Sequence, residues 1–280
     1  MNKTTEYKSP IKLICMDMDG TLLDSYNKNN RYHLPERNIE AIRKAVAHGI
    51  HVCFSTARNE SYIKPFAKII GIEDQYYISN NGARISLGDK TLQDYPLSGE
   101  ILRKICKVLK ENNIYCEFYL DDVIYVDKLA KDAEKKPNIY RLPSIELGDA
   151  VYVMPLVTKL SICMENKEDQ PRLTKLIQDI EGSENLIIFP SVGLHIEINS
   201  TAANKGDTVK WIANHLGISL DQVMAIGDAE NDIPMLNVAG YPVVMGQANE
   251  NMKKGRLVTA RVEDAGVAVA IEKYCFGIDN

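Results

Sequence analysis

Two aspartates separated by one residue, Asp17 and Asp19, follow the mostly apolar run 11–16 and are followed by Gly20 and Thr21. A short apolar run that ends in turn residues is typical of a buried parallel strand. Residues i and i+2 point to the same side of a strand, so both carboxylates can reach one small volume. Two carboxylates this close repel each other unless a cation or a proton intervenes. The pattern therefore indicates a magnesium site in which one acid is a nucleophile and the other carries a proton.

Three further polar groups follow elements of the same kind. Thr56 comes after the apolar run 50–55, and Lys205 opens a segment with helical periodicity. The segment 227–232 (Gly-Asp-Ala-Glu-Asn-Asp) follows another apolar run at 221–226. In an open α/β sheet, ligands bind outside the carboxyl ends of the parallel strands. We therefore expect these groups and the aspartate pair to form one site.

Each of these residues also has a simpler interpretation. Asp-x-Asp-Gly is an ordinary turn composition, Thr56 can merely end a strand, and Asp228 can cap the helix that follows it. Lys205 can be a solvated residue, but a cation at a helix N-terminus is unfavourable with the helix dipole, which favours an anionic partner there. Taken in order, the set suits phosphoryl transfer, because carboxylates bind Mg²⁺ while a lysine and a threonine hydroxyl bind the phosphate.

The spacing of apolar residues predicts two kinds of architecture along the chain. Strands and helices alternate from 11 to 79, which is typical of a parallel sheet covered by helices, and this alternation returns at Lys205. Between them, short strands and hairpins are interleaved with two helices. We predict an α/β protein with a Rossmann-like three-layer core at 1–83 and 198–280, and an inserted α+β cap domain at 84–197.

The composition excludes several classes of protein. The chain has 280 residues, of which 45% are hydrophobic and 25% charged, as in ordinary globular proteins. Its net charge of -5 gives no basic footprint, which argues against nucleic acid as a partner. No apolar run approaches the about 20 residues that a membrane span needs. Residues 1–8 lack the apolar segment of a signal peptide, so we expect a cytoplasmic protein. No feature specifies an oligomeric state.

The cysteines and histidines show no metal-binding pattern in the sequence. The six cysteines lie inside apolar runs without a Cys-x-x-Cys pair, and the five histidines form no His-x-x-x-His group. We interpret the cysteines as small buried hydrophobic residues in a reducing compartment, with a reactive thiol as the alternative. Packing or surface roles are expected for the histidines.

The polar groups carry a resemblance to a known family. The segment 17–21 (Asp-Met-Asp-Gly-Thr), Thr56, Lys205 and the segment 227–232 resemble, in this order, the four motifs of the haloacid dehalogenase (HAD) superfamily of phosphatases. The large insert, introduced by Asn-Asn-Gly-Ala at 80–83, is similar to the Cof-type subfamily with its class IIB α/β cap. The resemblance covers the whole chain.

The resemblance implies a role for each acid. Asp17 would be the nucleophile that forms an aspartyl-phosphate, and Asp19 would be the general acid for the leaving group and then the base for water. Mg²⁺ would be bound by Asp17, the backbone carbonyl of Asp19, and Asp228. Asp232 would orient Lys205 or a metal-bound water.

It also implies a set of residues that bind the phosphate and the substrate. The phosphate-binding residues would be Met18 (through its amide), Thr56, Ala57, Lys205 and Asn231. Asn81 and Arg84, at the entry to the insert, are candidate substrate contacts.

Two positions depart from the family pattern. Ala57 stands where the family commonly has glycine in Thr-Gly-Arg, a change that leaves the role of Thr56 intact. Gln247 stands where the family often has asparagine in Met-Gly-Asn-Ala, so a phosphate or loop role does not transfer to it directly.

The activity implied is hydrolysis of small phosphomonoesters, such as sugar phosphates, with the insert acting as a lid that selects the leaving group. Two alternatives stay open. A phosphomutase or phosphotransferase would use the same nucleophile and pass the phosphate to a hydroxyl group other than water. A phosphate-ligand sensor would bind without turnover and would have no use for the second acid, Asp19.

Overall fold

A computed structural model describes the chain as two compact units. The described residues are 10–25, 30, 32–128, 142–191 and 194–278. The first unit comprises Met1–Ala57, Ile63–Leu92 and Asn204–Asn280, and the second comprises Arg58–Tyr62 and Gln93–Ala203. The N-terminal segment that bears on the predicted location, 1–8, lies outside the described residues.

The first unit is built on an 8-stranded sheet with the order β16-β15-β14-β1-β2-β3-β4-β5. The strands from β16 to β3 run parallel, and β4 pairs antiparallel with β3. The strands are β1 (Leu13–Met16), β2 (His51–Ser55), β3 (Tyr76–Ser79), β4 (Arg84–Leu87), β5 (Lys90–Asp94), β14 (Val223–Gly227), β15 (Tyr241–Val244) and β16 (Leu257–Val258).

The centre of this sheet is buried on both faces. Every residue of β1 and of β14 is buried. Both strands consist of apolar or small residues, as is typical of parallel strands that are covered by helices on both faces. From β1 the chain adds β2 and β3 on one side and returns much later to add β14 and β15 on the other. The strand order therefore reverses between β1 and β14, and such a reversal is where open α/β sheets bind ligands.

Six helices accompany this sheet in the described residues. Helix α1 packs against α8, and α5 packs against α6. Buried Asn38 on α1 fixes one of these contacts, since its Oδ1 accepts a hydrogen bond from the Ala268 amide (2.9 Å) and its Nδ2 donates to the Leu22 carbonyl (3.2 Å). The helices are α1 (Glu36–Ala47), α2 (Glu60–Ile70), α5 (Lys205–His215), α6 (Ile233–Val238), α7 (Glu250–Lys253) and α8 (Gly266–Phe276).

The second unit contains a 6-stranded sheet with the order β12-β13-β11-β7-β8-β9, antiparallel except for the β8 and β9 pair. Apolar side chains of this sheet and of helices α3 and α4 form one core. The elements are β6 (Leu97–Ser98), α3 (Gly99–Glu111), β7 (Cys116–Leu120), β8 (Val123–Val126), β9 (Ser144–Glu146), β10 (Leu156–Val157), β11 (Lys159–Cys163), α4 (Gln170–Gln178), β12 (Leu186–Ser191) and β13 (His195–Ser200).

The predicted α/β class, with a parallel-sheet core and an inserted α+β segment, is confirmed. The strands predicted at 84–87 and 91–95 are placed differently, however. They form β4 and β5 of the first unit's sheet, because β4 pairs with β3 in place of a cap strand. The first compact unit therefore extends to Leu92, apart from Arg58–Tyr62, and resumes at Asn204. The domain limits of 1–83, 84–197 and 198–280 stay a prediction. No helix among the described residues has the length and apolar character to cross a membrane.

Candidate active site

Three carboxylates meet where the strand order reverses. The Asp17 amide, directly after β1, donates to the Ile226 carbonyl on β14 (3.0 Å), and Asp228 directly follows β14. Carboxylate oxygens of Asp17, Asp228 and Asp232 lie within 4.8 Å of one another, and all three residues are buried. The structure thus brings together three of the predicted acids, Asp17, Asp228 and Asp232; Asp19 is not part of this group.

Lys205 supplies the counter-charge for two of these acids. Its Nζ donates to Asp17 Oδ1 (2.6 Å) and to Asp232 Oδ1 (2.7 Å), and its side chain is 1% exposed. The lysine is the first residue of α5, where the helix dipole opposes a cation. The anionic partner that the sequence predicted for this lysine therefore includes two buried carboxylates.

Burial and the neighbouring charges have opposing effects on the pKa values of Asp17 and Lys205. Burial raises the pKa of the Asp17 carboxyl well above its ordinary value; Lys205 lowers it, while Asp232 and Asp228 raise it further. Burial lowers the pKa of Lys205, but attraction to Asp17 and Asp232 outweighs burial and leaves that pKa raised. The lysine is therefore a fixed cation, and Asp17 is a carboxylate whose anionic form depends on neighbouring positive charge.

Asp232 also shapes the loop that carries Asp228. Its Oδ2 accepts hydrogen bonds from the amides of Asp228 (3.0 Å) and Ala229 (3.1 Å). Asp228 Oδ1 in turn accepts a hydrogen bond from Thr21 Oγ1 (3.0 Å). The amides at the start of this turn are thus capped by Asp232, and the short helical turn that follows has Ala229, rather than Asp228, at its N-cap position.

Gly20 permits the turn that carries Asp19. It has a φ of 90°, and a Cβ there would collide with the Asp228 carboxylate. Its amide donates to the Leu23 carbonyl (2.9 Å). The backbone of half-buried Asp19 pairs with that of Leu23 as a single β-type pair. A residue with a side chain at position 20 would be both strained and obstructed, so this turn requires glycine.

A second group of predicted residues is joined by hydrogen bonds around Thr56. The Thr56 amide donates to the Ile78 carbonyl (2.9 Å), and the Thr56 carbonyl accepts from the Asn81 amide (3.0 Å). Asn231 Nδ2 donates to Asn81 Oδ1 at 3.4 Å. Asn81 is buried and has a φ of 61°. It thus braces two predicted phosphate-binding residues, a role that the sequence pattern did not indicate.

Three further predicted residues are Met18, Ala57 and Arg84. Met18 is buried, and its carbonyl accepts from the Leu23 amide (2.8 Å). Ala57 is half-buried beside Thr56, and Arg84 begins β4 opposite Ser79.

Gln247 connects two loops of the first unit. Its Nε2 donates to the Gly20 carbonyl (2.5 Å), and its Oε1 accepts from the Val262 amide (3.1 Å). This side chain therefore supports the turn that carries Asp19, although it departs from the family's residue. Neither the contact of Gln247 with Gly20 nor that of Thr21 with Asp228 was recognised from the sequence, because each joins residues that lie more than 200 positions apart along the chain.

Replacement of Gln247 by alanine is expected to destabilise the first unit by about 1–3 kcal/mol, because a buried carbonyl and an amide lose their partner. Urea unfolding followed by the fluorescence of Trp211, the only tryptophan, measures this change. Gln178→Ala, at an exposed position on α4, is the control and should change stability by less than about 0.5 kcal/mol. Equal midpoints for the two variants would show that the Gln247 contacts contribute nothing to stability.

Comparisons with protein families and with individual proteins agree on one family. The model of the haloacid dehalogenase-like hydrolase family matches residues 14–271. The phosphatase YwpJ of Bacillus subtilis is 28% identical over 284 residues, which cover 92% of this chain and 98% of that protein. A phosphoglycolate phosphatase of Archaeoglobus fulgidus is 28% identical over 262 residues, with 93% and 96% covered.

A solved structure shows the same fold. A sugar phosphatase of HAD subclass IIB superimposes with a TM-score of 0.77 and 22% identity, over 94% of this chain and 98% of that one. The family match spans both strand ends that carry the clustered acids and the lysine between them. The chain belongs to the haloacid dehalogenase-like hydrolase family.

Proposed function

We propose that this hydrolase is a magnesium-dependent phosphatase that acts on small phosphomonoesters through an aspartyl-phosphate on Asp17. The observation that carries the proposal is the buried cluster of Asp17, Asp228 and Asp232 with Lys205 between two of its members. A monoanionic nucleophile and a dianionic phosphate repel each other, so a site of this kind needs fixed positive charge. Lys205 supplies one such charge from within the protein.

The donors in the cluster fit Mg²⁺. They are carboxylate oxygens, the hard ligands that Mg²⁺ prefers, and the cluster contains neither sulfur nor imidazole. The residues that would hold the ion are Asp17, the backbone carbonyl of Asp19, and Asp228. When bound, Mg²⁺ supplies charge that lowers the pKa of Asp17 and neutralises the phosphate.

In the proposed first step, an Asp17 oxygen attacks phosphorus, a carboxylate-to-phosphorus bond forms, and the ester phosphorus–oxygen bond breaks. Asp19 gives its proton to the departing alkoxide. Phosphate oxygens are held by Lys205, the Thr56 hydroxyl and the amides of Met18 and Ala57, with Asn231 as a further donor. Donors of this kind stabilise the developing charge most when they are already in place before the reaction.

In the second step, Asp19, now ionised, takes a proton from water, whose oxygen attacks phosphorus. The bond between phosphorus and the Asp17 oxygen breaks, which releases inorganic phosphate and restores the carboxylate. The half-buried position of Asp19 suits both proton transfers, since a leaving group and a water molecule can reach a side chain that is partly exposed.

The substrate class is proposed to be small phosphomonoesters, and sugar phosphates in particular. Support comes from relatives that act on a small phosphorylated acid and on sugar phosphates. We assign selectivity among these esters to the second unit, in keeping with the resemblance to Cof-type caps.

Removal of the metal tests the proposal. Phosphate release from a panel of sugar phosphates and other phosphomonoesters is expected to fall by at least about 100-fold in EDTA and to return with excess Mg²⁺, because a Lewis acid contributes several kcal/mol to the transition state. Rates that do not change in EDTA would contradict the metal's role. Ester binding without phosphate release from any panel member would favour the sensor. Transfer to a sugar hydroxyl in the presence of a bisphosphate would favour the mutase.

A further inference from the structure

One face of the second unit's sheet places three metal-binding side chains on adjacent strands. Glu117 lies on β7, Cys163 on β11 and His195 on β13, and β11 is the middle strand of the three. Cys163 pairs directly with His195, and Ser161, two residues earlier on β11, pairs with Glu117. Because side chains alternate between the faces of a strand, all of these residues share one face.

The opposite face of the same strands is apolar. Cys116, Ile162 and Ile196, which alternate with the polar set, belong to the core that includes α3 and α4. The cysteine at 163 therefore differs from the small buried hydrophobic residue that the sequence suggested. It is half-buried among polar neighbours, and its imidazole partner is 32 residues away along the chain.

The separations match those of ligands on one zinc ion. Cys163 Sγ lies 3.5 Å from His195 Nδ1. Zinc bonds of about 2.3 Å to sulfur and about 2.05 Å to nitrogen, at a tetrahedral angle, place the two ligand atoms about 3.6 Å apart. A Glu117 carboxylate oxygen completes the group, whose ligand atoms all lie within 4.8 Å of one another.

We propose that Glu117, Cys163 and His195 form a site for one zinc-like divalent cation, distinct from the carboxylate cluster of the first unit. A thiolate, an imidazole and a carboxylate together favour Zn²⁺ over Mg²⁺, which prefers oxygen ligands alone. The fourth position is open to water or to Ser161 Oγ, which lies 3.1 Å from His195 Nδ1.

The neighbouring groups support a ligand role for Glu117. Tyr119 donates a hydrogen bond to Glu117 Oε2 (2.6 Å), and a hydrogen bond of this kind orients the carboxylate of a metal ligand. Partial exposure of the three ligands provides a path for the ion. A bound ion would cross-link three strands that are otherwise joined only through the sheet.

Cobalt(II) titration of the full chain in excess Mg²⁺ tests the site. Wild type is expected to bind one equivalent with thiolate-to-cobalt charge-transfer absorption, which Zn²⁺ abolishes by displacement. Cys163→Ser should lose this absorption, and Tyr119→Phe should weaken binding by about 10–100-fold. Cys275→Ser, on α8 of the first unit, is the matched control and should behave as wild type.

Two results would overturn the proposal: no charge-transfer absorption in wild type, or the same absorption in Cys163→Ser. Should Cys163→Ser fail to fold, His195→Gln provides a second measurement. Zn²⁺ is expected to raise the thermal unfolding midpoint of wild type and to leave that of His195→Gln unchanged. An equal rise in both proteins would also refute the site. None of these measurements depends on phosphate release, so the zinc site and the proposed function are tested independently of each other.

Discussion

Replacement of Asp17 by asparagine is expected to lower kcat for phosphate release by at least about a thousandfold, because the variant has no anionic oxygen to attack phosphorus. Asparagine has nearly the same shape, and it keeps a polar group beside Lys205. The loss should appear in kcat for every ester of the panel rather than in KM for one of them. Steady-state phosphate release with saturating Mg²⁺ measures it.

Stability should not fall with activity in this variant. The buried charge of Asp17 is opposed by burial and by its two acidic neighbours, and only Lys205 favours it. Removing that charge relieves repulsion while Lys205 keeps its contact with Asp232. We expect a free energy of unfolding within about 1 kcal/mol of that of wild type, in accord with the trade-off between stability and activity at catalytic sites. Asp264→Asn, at an exposed position, is the control for both measurements. Turnover equal to that of the control would exclude Asp17 as the nucleophile.

Replacement of Lys205 by methionine is expected to cost both turnover and stability. The change leaves Asp17 and Asp232 buried without their shared cation, and removing one partner of a buried pair typically destabilises a protein by about 3–5 kcal/mol. Trp211 lies on the same helix, α5, so its fluorescence in urea reports directly on this part of the fold. Measurements in EDTA keep divalent cations from replacing the lost charge.

The pH dependence of this variant has a definite sign. Lys205 is the neighbour that lowers the pKa of Asp17, so its removal raises the pKa of Asp17 further in the folded state. A carboxyl with a raised folded pKa binds a proton more tightly when folded, so stability falls as the pH rises above the unfolded value of about 4. The deficit relative to wild type should therefore be larger at neutral pH than near pH 4.

Lys210→Met is the matched control for the lysine. Lys210 lies on the same helix and pairs with Asp207 at 2.8 Å, but both side chains are about half exposed. Exposed pairs contribute about 0–1 kcal/mol, so this variant should unfold close to wild type and keep its turnover. If Lys205→Met and Lys210→Met lost equal amounts of stability, the buried lysine would have no special electrostatic role.

Much of the first unit could be predicted because its signals are local. An apolar run that ends in Asp-x-Asp-Gly indicates both the strand β1 and the acids that follow it, and the same reasoning applies to Asp228 after β14. The parallel arrangement then brings these ends together without further information. Lys205 was predicted for the same site because a cation at the start of a helix is unfavourable with the helix dipole, which indicates an anionic partner.

Other features depend on partners that no local pattern reveals. The sequence predicts that β4 and β5 belong to the insert. A hairpin after β3 has the same sequence pattern whether it continues the sheet of β3 or begins a new sheet. Gln247 makes its contacts with residues 20 and 262, and Cys163 meets His195 only through the register of β11 and β13. Pairing of this kind is decided by tertiary packing, which the spacing within one segment does not encode.

The position of β1 between β2 and β14 has a consequence for biosynthesis. During translation β1 leaves the ribosome with β2 soon after it, whereas its other neighbour, β14, begins at Val223. Until then one side of β1 is an open hydrogen-bonding edge, and Asp17 has no ammonium group from Lys205. The intervening unit can fold while the chain is still growing, since domains fold as units. Chaperones that shield exposed strand edges are therefore expected to act on the amino-terminal half of this nascent polypeptide.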